Sequence, residues 1–584
     1  MEERKSGTVE WWMVGPTCWK DDWPRTSEDD TCFAASQSHA GETCSIAADQ
    51  SSVDTPHLRR SDLILLALLT IAAGIPGLGG LSITREDERF YIQTVISMPE
   101  NGHYLVPTYY GYLHLGKPPL MNWLVLGSCK VFGFSLWASR LPSLLAGASV
   151  VVLTCLLARR LFQDPLTARL AGLMTASSYT ILVHSRLALT DMVMLAGMLV
   201  LYLNVFAVIS GERARRRYFL AAVGLGIAVM VKGHVGLVLS ALPIAAFCII
   251  ERRSLKETGK GQLFNPWFWC PALIFCFWWY ALLLSADTPA SEFARYHKPS
   301  DQSLRDAFIS FFYNEEINAR AGGDLSRIGK NILRYPVDYL RISFPWSLLA
   351  LSGFLIWGRP LLKELVDRRR ETVFLLCLVI PVFLFFTLVV RQTSRSRYLL
   401  PIVPGIAIFA ARFVALKADA IPWAVTSVRY LSLVLMILFN IFFIYVGPAV
   451  RESPFEKLVL DLKPRLTAAD AILVGGMWPK WHTYAGAILG RKTDFIGYRP
   501  NSDSVRLRLR KHESENVYVL MDRKYFDLWD QPVQDSFEII SERKGIEGRI
   551  KFRDLINSIT GKELHEENTL NLMLLRYSVR LKSE

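Results

Sequence analysis

The run VFLLCLVIPVFLFFTLVV at residues 373–390 decides the fold class of this chain. It has 18 residues without a charge, which is enough to cross the hydrocarbon core of a bilayer as one helix. Similar apolar runs lie at residues 63–73 and 431–446. The chain has 584 residues, of which 51% are hydrophobic and 20% charged, and its mean hydropathy is +0.24. These values exclude a disordered or fibrous protein and favour a polytopic membrane protein over a soluble multidomain enzyme.

Eleven apolar stretches, including this run, are predicted to span the membrane as helices, because a helix satisfies its own backbone polar groups in lipid. A further stretch at residues 119–134 is shorter and contains Asn122 and Trp123. The predicted spans are residues 62–81, 138–159, 167–184, 190–209, 217–231, 234–250, 265–285, 340–358, 372–391, 397–415 and 426–447.

Lysine and arginine outnumber aspartate and glutamate by 66 to 53, which gives a net charge of +13. The excess lies in short clusters between apolar runs, so it indicates membrane topology, and no nucleic acid partner is expected. The clusters at residues 159–160, 213–217, 252–260 and 363–370 are assigned to the cytoplasmic side. This assignment leaves no crossing for residues 119–134, which are predicted to form an interfacial helix on the outer surface. It also places the C-terminus outside.

The composition divides the chain into three regions. Residues 1–60 are polar and lack the apolar core of a signal peptide, so they are predicted to form a disordered cytoplasmic extension. Residues 61–450 contain the spans, and residues 451–584 are predicted to form a small extracytoplasmic α/β domain. The nine cysteines show no paired spacing, and we assign neither a metal site nor a disulfide to them. The β-like runs of the third region are residues 471–474, 516–521, 537–541 and 572–575.

Ionisable residues on the outer side are candidates for chemistry, because charge at a membrane boundary is costly. The first outer loop begins with TREDERFY at residues 84–91, which contains Asp87, Glu88 and Arg89. A solvated acidic flank is the alternative interpretation of this run. Lys117 stands before two prolines, where it could hold a lipid phosphate or only extend its ammonium group to the interface.

Two further outer positions carry charge close to predicted spans. Asp191 follows Thr190 at the start of the span 190–209, where a helix N-cap is the alternative explanation for both residues. Lys232 and Arg320 are isolated cations on the same side. The recurrence of carboxylates and cations on one side of the membrane favours a functional site there.

A set of short motifs occurs in a fixed order between residues 62 and 415. The motifs are Asp87-Glu88, Met98, Pro107, Lys117-Pro118-Pro119, Arg140-Leu141-Pro142, Arg186-Leu187-Ala188, Thr190-Asp191, Lys232-Gly233, Glu315-Glu316-Ile317-Asn318-Ala319-Arg320, Phe344-Pro345-Trp346, Arg397-Tyr398-Leu399-Leu400-Pro401 and Pro404. Together they resemble the polyprenyl-phosphate-sugar-dependent membrane glycosyltransferases of GT-C fold, which include lipid A aminoarabinose transferases and dolichyl-phosphate-mannose protein mannosyltransferases. The resemblance implies a polytopic α-helical membrane protein of GT-C type with about 11–13 transmembrane helices and a small C-terminal extracytoplasmic α/β domain.

The resemblance also implies roles for the outer charged residues. Asp87 matches the catalytic carboxylate, Glu88 is placed to share its role, and Asp191 matches a second acidic residue that supports the site. The implied ligands of the donor phosphate are Lys117, Lys232, Arg320 and Arg89.

The sequence departs from the family pattern at three places. Phe90 stands where the family usually has an arginine, with Arg85 and Arg89 nearby as substitutes. Gly116 replaces a frequent acidic residue, so no metal site is assigned, although a divalent cation stays an open alternative. A Glu-His pattern of the third loop is replaced by Glu315-Glu316, which removes the histidine role.

The chemistry of a lipid-linked sugar agrees with these roles. Cations stabilise the leaving phosphate, and a carboxylate removes the proton of the attacking hydroxyl, so a direct displacement would invert the anomeric centre. The predicted enzyme is therefore a glycosyltransferase that uses a polyprenyl phosphate sugar donor and a lipid, glycan or protein acceptor. It is predicted to act on the outer face of a bacterial inner (plasma) membrane. The alternatives are a secondary transporter, whose sites usually lie near the midplane, and a membrane-anchored scaffold whose C-terminal domain binds partners.

Overall fold

The computed structural model describes most of the chain from residue 58 onward. The described residues are 58–79, 86–109, 112–252, 264–293, 302–314, 326–356, 363, 366–367, 369–390, 396–446, 454–476, 480–491, 493–497, 499–512, 516–546 and 569–577. Nearly all of the predicted extension at residues 1–60 therefore lies outside the described residues, as do Arg85, Glu315-Glu316 and Arg320.

The region up to residue 446 is a bundle of α-helices with one short β-hairpin. The hairpin consists of β1 (Thr108–Tyr109) and β2 (Tyr112–Leu113). The helices of the first half are α1 (Arg60–Gly74), α2 (Glu86–Asn101), α3 (Leu120–Phe132), α4 (Leu136–Phe162), α5 (Pro165–Ser177), α6 (Tyr179–His184), α7 (Thr190–Ile209), α8 (Arg215–Lys232) and α9 (His234–Ile250). Those of the second half are α10 (Pro266–Leu284), α11 (Ala290–Phe293), α12 (Leu304–Phe311), α13 (Ser326–Ile342), α14 (Trp346–Ile356), α15 (Arg369–Leu384), α16 (Val403–Ala415) and α17 (Pro422–Ile441). Single π-helical turns extend α15 over Phe385–Val389 and α17 over Phe442–Val446, and a 3₁₀-helix, Ser396–Ile402, leads into α16.

Six helices of the described chain are long and apolar enough to cross a membrane. They agree with six of the predicted spans. The helix α3, which covers the predicted interfacial segment 119–134, is apolar but has only 13 residues. The six candidate spans are Leu136–Phe162, Thr190–Ile209, Pro266–Leu284, Arg370–Val389, Ser396–Ala415 and Pro422–Ile444.

Two predicted spans have different bounds in the structure. The predicted span 167–184 is divided into α5 and α6, because Ser178 between them has an extended backbone (ψ 131°) and its hydroxyl hydrogen-bonds to Ser343 at 3.0 Å. The predicted span 340–358 begins later, at Trp346, since Ile342 still belongs to the amphipathic helix α13. The indole N–H of Trp346 donates to the hydroxyl of Ser177 at 3.0 Å, which connects the two corrected regions.

Helices α7 and α8 approach each other closely through two glycines. A Cβ atom added to Gly197 would lie 2.8 Å from the carbonyl oxygen of Gly224, and one added to Gly224 would lie 2.6 Å from that of Gly197. Small residues of this kind let two membrane helices pack backbone against backbone. The pair therefore fixes the first turn of α7 relative to the last turn of α8.

Arg186 connects the helix ends on one side of the bundle. Its fully buried guanidinium donates to the carbonyl oxygens of Ala73, Pro76 and Leu182, and to the Oδ1 of Asn440 at 2.8 Å. It also lies 4.3 Å from the centre of the Phe443 ring. Because each of the three guanidinium nitrogens has a hydrogen-bond partner, this charge joins α1, α6 and α17 through neutral oxygen atoms.

The chain beyond residue 453 forms an α/β domain around a five-stranded sheet with strand order β4-β3-β5-β7-β6. The strand β3 lies between β4 and β5 and is parallel to both. The strand β7 is antiparallel to β5 and β6. The four predicted β-runs coincide with β3, β5, β6 and β7, whereas β4, with only four residues, was missed. The strands are β3 (Ala471–Gly475), β4 (Asp494–Gly497), β5 (Val517–Asp522), β6 (Phe537–Ile546) and β7 (Thr569–Tyr577), and the helices are α18 (Pro454–Leu462), α19 (Lys480–Leu489), α20 (Ser502–Leu509), α21 (Arg523–Phe526) and α22 (Gln531–Gln534).

The α/β domain shares a hydrophobic core with the helical bundle. Ile92 of α2 and Leu136 of α4 are packed in one cluster with Phe455 of α18 and with Val474 and Leu574 of the sheet. All five side chains are at most 5% exposed. The domain therefore covers the end of the bundle at which α2 lies.

Candidate active site at one end of the helical bundle

Four separate elements bring charged side chains to the same end of the bundle. Asp87 belongs to the first turn of α2, Asp191 to the first turn of α7, Lys232 to the last turn of α8 and Arg397 to the 3₁₀-helix before α16. The alternating direction of the helices explains the assembly, since α7 begins and α8 ends at this side. The predicted grouping of outer charges therefore corresponds to one cluster in space.

Asp87 and Arg397 form the ion pair nearest to solvent in this cluster. Arg397 Nη2 lies 2.5 Å from Asp87 Oδ2, and the side chains are 13% and 26% exposed. Burial alone would raise the pKa of the Asp87 carboxyl, but the positive charges of Lys117 and Arg397 outweigh it and hold the pKa below its usual value of 3.8. The Asp87 carboxylate is therefore ionised at neutral pH and is still partly accessible to solvent.

Asp191 and Lys232 form a second and more deeply buried pair. Lys232 Nζ lies 2.5 Å from Asp191 Oδ1, and the side chains are 15% and 4% exposed. The alternative explanation of Asp191 as a helix cap is wrong, because the N-cap of α7 is Leu189 and no side chain caps that end. The close packing of α7 on α8 holds the two charges together.

Glu88 occupies a place different from the one predicted. Its carboxylate and the guanidinium of Arg140 are both fully buried, with Arg140 Nε 2.7 Å from Oε1 and Nη2 3.3 Å from Oε2. The backbone N–H of Ala188 donates to Oε1 at 3.0 Å, and Arg140 Nη1 donates to the carbonyl of Leu78 at 2.7 Å. Glu88 therefore faces the protein interior and cannot share the role of Asp87, which corrects that prediction.

Aromatic groups and a histidine surround the Lys117 ammonium. Its Nζ lies 5.6 Å from the centre of the Tyr91 ring, and the ring of His114 stacks on Phe90 with centroids 4.6 Å apart. Burial and then the charge of Lys117 lower the pKa of His114 to about 4, so this imidazole is neutral at pH 7. Its Nε2 atom is buried and has no hydrogen-bond partner among the described residues.

Two of these residues were missed by the sequence prediction of the site. Arg397 belongs to one of the short motifs, and its position at the outer start of the predicted span 397–415 is a signal, because charge at a membrane boundary is costly. Nothing in the sequence distinguished His114. Of the remaining predicted residues, Arg89 is partly buried in α2, and Arg320 lies outside the described residues.

The arrangement suits chemistry on an anion that carries a leaving group. A partly exposed carboxylate lies among cations from different elements, in surroundings that burial makes less polar than water. Within the described ranges, no group of three or more His, Cys, Asp or Glu side chains is placed to hold a metal ion. Among the described residues, Lys117, Lys232 and Arg397 contribute positive charge to this cluster.

Comparison with known proteins gives sequence likeness over the region that contains this cluster. The family model described as dolichyl-phosphate-mannose-protein mannosyltransferase matches residues 116–279. An uncharacterized protein of Aquifex aeolicus is 28% identical over 341 residues, which cover 58% of this chain and 60% of that protein. The chain therefore matches less than two thirds of the length of this relative.

The chain is also similar to a relative with a named activity and to a solved structure. An undecaprenyl phosphate-alpha-4-amino-4-deoxy-L-arabinose arabinosyl transferase of Pseudomonas aeruginosa is 26% identical over 413 residues, 68% of each chain. The crystal structure of ArnT from Cupriavidus metallidurans bound to undecaprenyl phosphate matches with a TM-score of 0.61. That match has 14% sequence identity and covers 88% of this chain and 97% of that chain, so it shows the fold alone.

By fold and by sequence the chain is similar to the GT-C superfamily of membrane glycosyltransferases. The predicted resemblance and the predicted fold class are thereby confirmed, and the named relatives support the predicted enzyme class. Within this superfamily, the chain is similar to bacterial arabinosyl transferases and to the mannosyltransferase family whose model it matches.

Proposed function

We propose that this chain transfers a sugar from a polyprenyl phosphate donor to an acceptor hydroxyl, by direct displacement with inversion at the anomeric carbon. The observation that carries the proposal is the Asp87 carboxylate, which is partly exposed and lies 2.5 Å from Arg397 within the field of Lys117. A carboxylate so placed can orient an acceptor hydroxyl and take up its proton. The neighbouring cations can stabilise the charge that develops on the leaving phosphate.

Lys117 is the first candidate ligand of the donor phosphate. Its ammonium is partly buried and lies over an aromatic ring, 5.6 Å from the centre of Tyr91, rather than on a carboxylate. Lys232 is already paired with Asp191, so binding a phosphate there would require the two anions to share one cation. We therefore assign Lys232 and Asp191 to a supporting role, and we keep Arg89 and Arg320 as proposed ligands of the donor phosphate on the sequence resemblance alone.

Donor binding would itself activate Asp87. The charges of Lys117 and Arg397 hold the Asp87 pKa low, and a carboxylate of low pKa is a weak base. The monoanionic phosphodiester of the donor, bound beside Lys117, would offset these charges and raise the basicity of Asp87. The carboxylate would then become an effective proton acceptor only when a donor is present.

The membrane orientation and the substrates are part of the same proposal. We propose that the Asp87 cluster and the α/β domain face the outer side of a bacterial inner membrane, because the basic loops 159–160 and 213–217 belong to the opposite end. The name of the Pseudomonas relative supports an undecaprenyl phosphate carrier. We propose that the acceptor is a lipid, glycan or protein that presents a hydroxyl group at this surface.

The proposal is tested by changing Asp87→Asn in the full-length protein reconstituted in bilayers. Asn keeps the shape of the side chain but removes the proton acceptor, so we expect transfer to fall by about 100- to 10,000-fold. The measurement is the release of polyprenyl phosphate from an undecaprenyl phosphate-linked sugar, followed by mass spectrometry.

The matched control is Glu86→Gln, which removes the same charge from the preceding position in the chain. We expect this variant to retain transfer within a few-fold of the unchanged protein. Full activity of the Asp87→Asn variant, or an equal loss in both variants, would contradict the assignment of Asp87.

A further inference from the structure

A second charged cavity lies at the end of the bundle opposite to Asp87. Its volume is about 500 Å³, and it is bounded by the start of α1, the first half of α5 and the middle of α17. Arg59, Arg169 and Arg429 line it together with Asp62. Helix α1 runs from this cavity to the Arg186 side of the bundle over 15 residues, which corresponds to roughly 22 Å.

The cavity has an excess of positive charge. Asp62 Oδ2 accepts from Arg169 Nε at 3.0 Å and lies 2.9 Å from Nη2, so this carboxylate neutralises Arg169. The backbone N–H of Arg59 donates to the same carboxylate at 2.9 Å. In the part of the chain that the structure describes, no carboxylate forms an ion pair with Arg429, whose side chain is exposed. The cavity is therefore lined by three guanidinium groups, those of Arg59, Arg169 and Arg429, and one carboxylate, that of Asp62, which leaves an excess of positive charge.

Apolar stripes run from the cavity along two of the helices that bound it. On α17, Leu433 and Ile437 follow Arg429 at intervals of four residues and are 39% and 58% exposed. On α1, Leu65 and Leu68 follow Ser61 on the same face and are each 57% exposed. Residues at these spacings share one side of a helix, so each stripe continues from the charged rim towards the membrane interior.

The positive charge at the rim suits the headgroup of an anionic phospholipid, and the apolar surface beside it suits the acyl chains. We propose that this cavity binds an anionic phospholipid, with its phosphate between Arg59 and Arg429 and its acyl chains along the stripes of α17 and α1. A zwitterionic headgroup would bring its own cation next to the arginines and would be bound less well. A soluble anion would leave the apolar stripes unused. The proposal depends on the membrane-spanning fold and is independent of the transferase mechanism.

The test uses the full-length protein purified in detergent with equal amounts of phosphatidylglycerol and phosphatidylcholine. Native mass spectrometry then counts the lipids that stay bound. We expect one phosphatidylglycerol to be retained preferentially, and each of the variants Arg59→Gln and Arg429→Gln to weaken its retention about fivefold. The matched control is Arg60→Gln, which removes an arginine from the same helix end but does not line the cavity.

Four results would overturn the proposal. They are equal retention of the two lipids, unchanged retention in both cavity variants, a loss in Arg60→Gln as large as in Arg429→Gln, and complete displacement of the lipid by millimolar inorganic phosphate. The last result would identify a site for soluble anions. Arg59→Gln and Arg429→Gln are measured separately, so a folding defect in one variant leaves the other as the test.

Discussion

The pair formed by Asp87 and Arg397 joins residues that are 310 positions apart in the chain (397 − 87). Asp87 supplies the proposed proton acceptor, and Arg397 sets its charge state by lying 2.5 Å away. Burial works in the opposite direction, since it favours the neutral carboxyl group. The ionisation of the site in the absence of donor therefore depends on two cations that come from other elements.

We expect the variant Arg397→Gln to need a higher pH for activity than the unchanged protein. In the unchanged protein the Asp87 pKa lies below 3.8, so the carboxylate stays ionised until the pH falls below that value. Removing the guanidinium takes away one of the charges that lower the pKa, so it rises. The acidic limb of the kcat/KM profile for sugar transfer should therefore move to higher pH.

The control for this profile is Arg412→Gln, because Arg412 pairs with Asp164 at the other end of the bundle, at 3.5 Å. We expect its acidic limb to stay in place. An unchanged limb in Arg397→Gln would show that this pair does not govern ionisation of the active carboxylate.

The buried ion pair of Glu88 and Arg140 fixes the position of helix α2. The pair connects α2 to α4, to the segment after α1 through Leu78 and to the segment before α7 through Ala188. Asp87 is the neighbour of Glu88, and Asp191 follows Ala188 by three residues. One buried ion pair therefore places both carboxylates of the site.

The variant Arg140→Met should lower the thermal stability of the purified protein markedly. It leaves the Glu88 carboxylate buried without its cation, and removing one partner of such a pair costs about 3–5 kcal/mol. The apparent melting temperature in detergent measures the effect.

A comparison with Arg523→Met makes the result specific, since Arg523 pairs with Glu542 at an exposed position of the α/β domain. That variant should melt close to the unchanged protein. Equal melting temperatures for both variants would contradict the structural role of the buried pair.

The α/β domain and the bundle depend on each other through Ile92, which is fully buried in their common core. We expect Ile92→Ala to cost about 2–5 kcal/mol locally and to loosen the domain from α2. Faster cleavage of the domain by limited proteolysis, together with reduced sugar transfer, would show this. The control is Ile539→Ala, because Ile539 is 48% exposed on the sheet; similar cleavage rates in the two variants would contradict the dependence.

The fold was largely predictable from apolar patterning, because runs such as 373–390 have few alternatives to a membrane helix. The bounds at Ser178 and Trp346 were not, since they depend on hydrogen bonds between segments that are far apart in sequence. Local sequence also placed Asp87, Asp191, Lys117 and Lys232 on one side. It could not separate Asp87 from Glu88, which are adjacent in sequence but pair with Arg397 and with Arg140, respectively.

The core shared by α2 and the α/β domain also has a consequence for biosynthesis. Ile92 packs in the same cluster as Leu574, which the ribosome reaches 482 residues later (574 − 92). At about 5–20 residues per second, the ribosome needs roughly 25–100 s to reach the second after the first. During this time α2 lacks part of the surface that holds it, so the site that contains Asp87 is completed only after β7 has been synthesised.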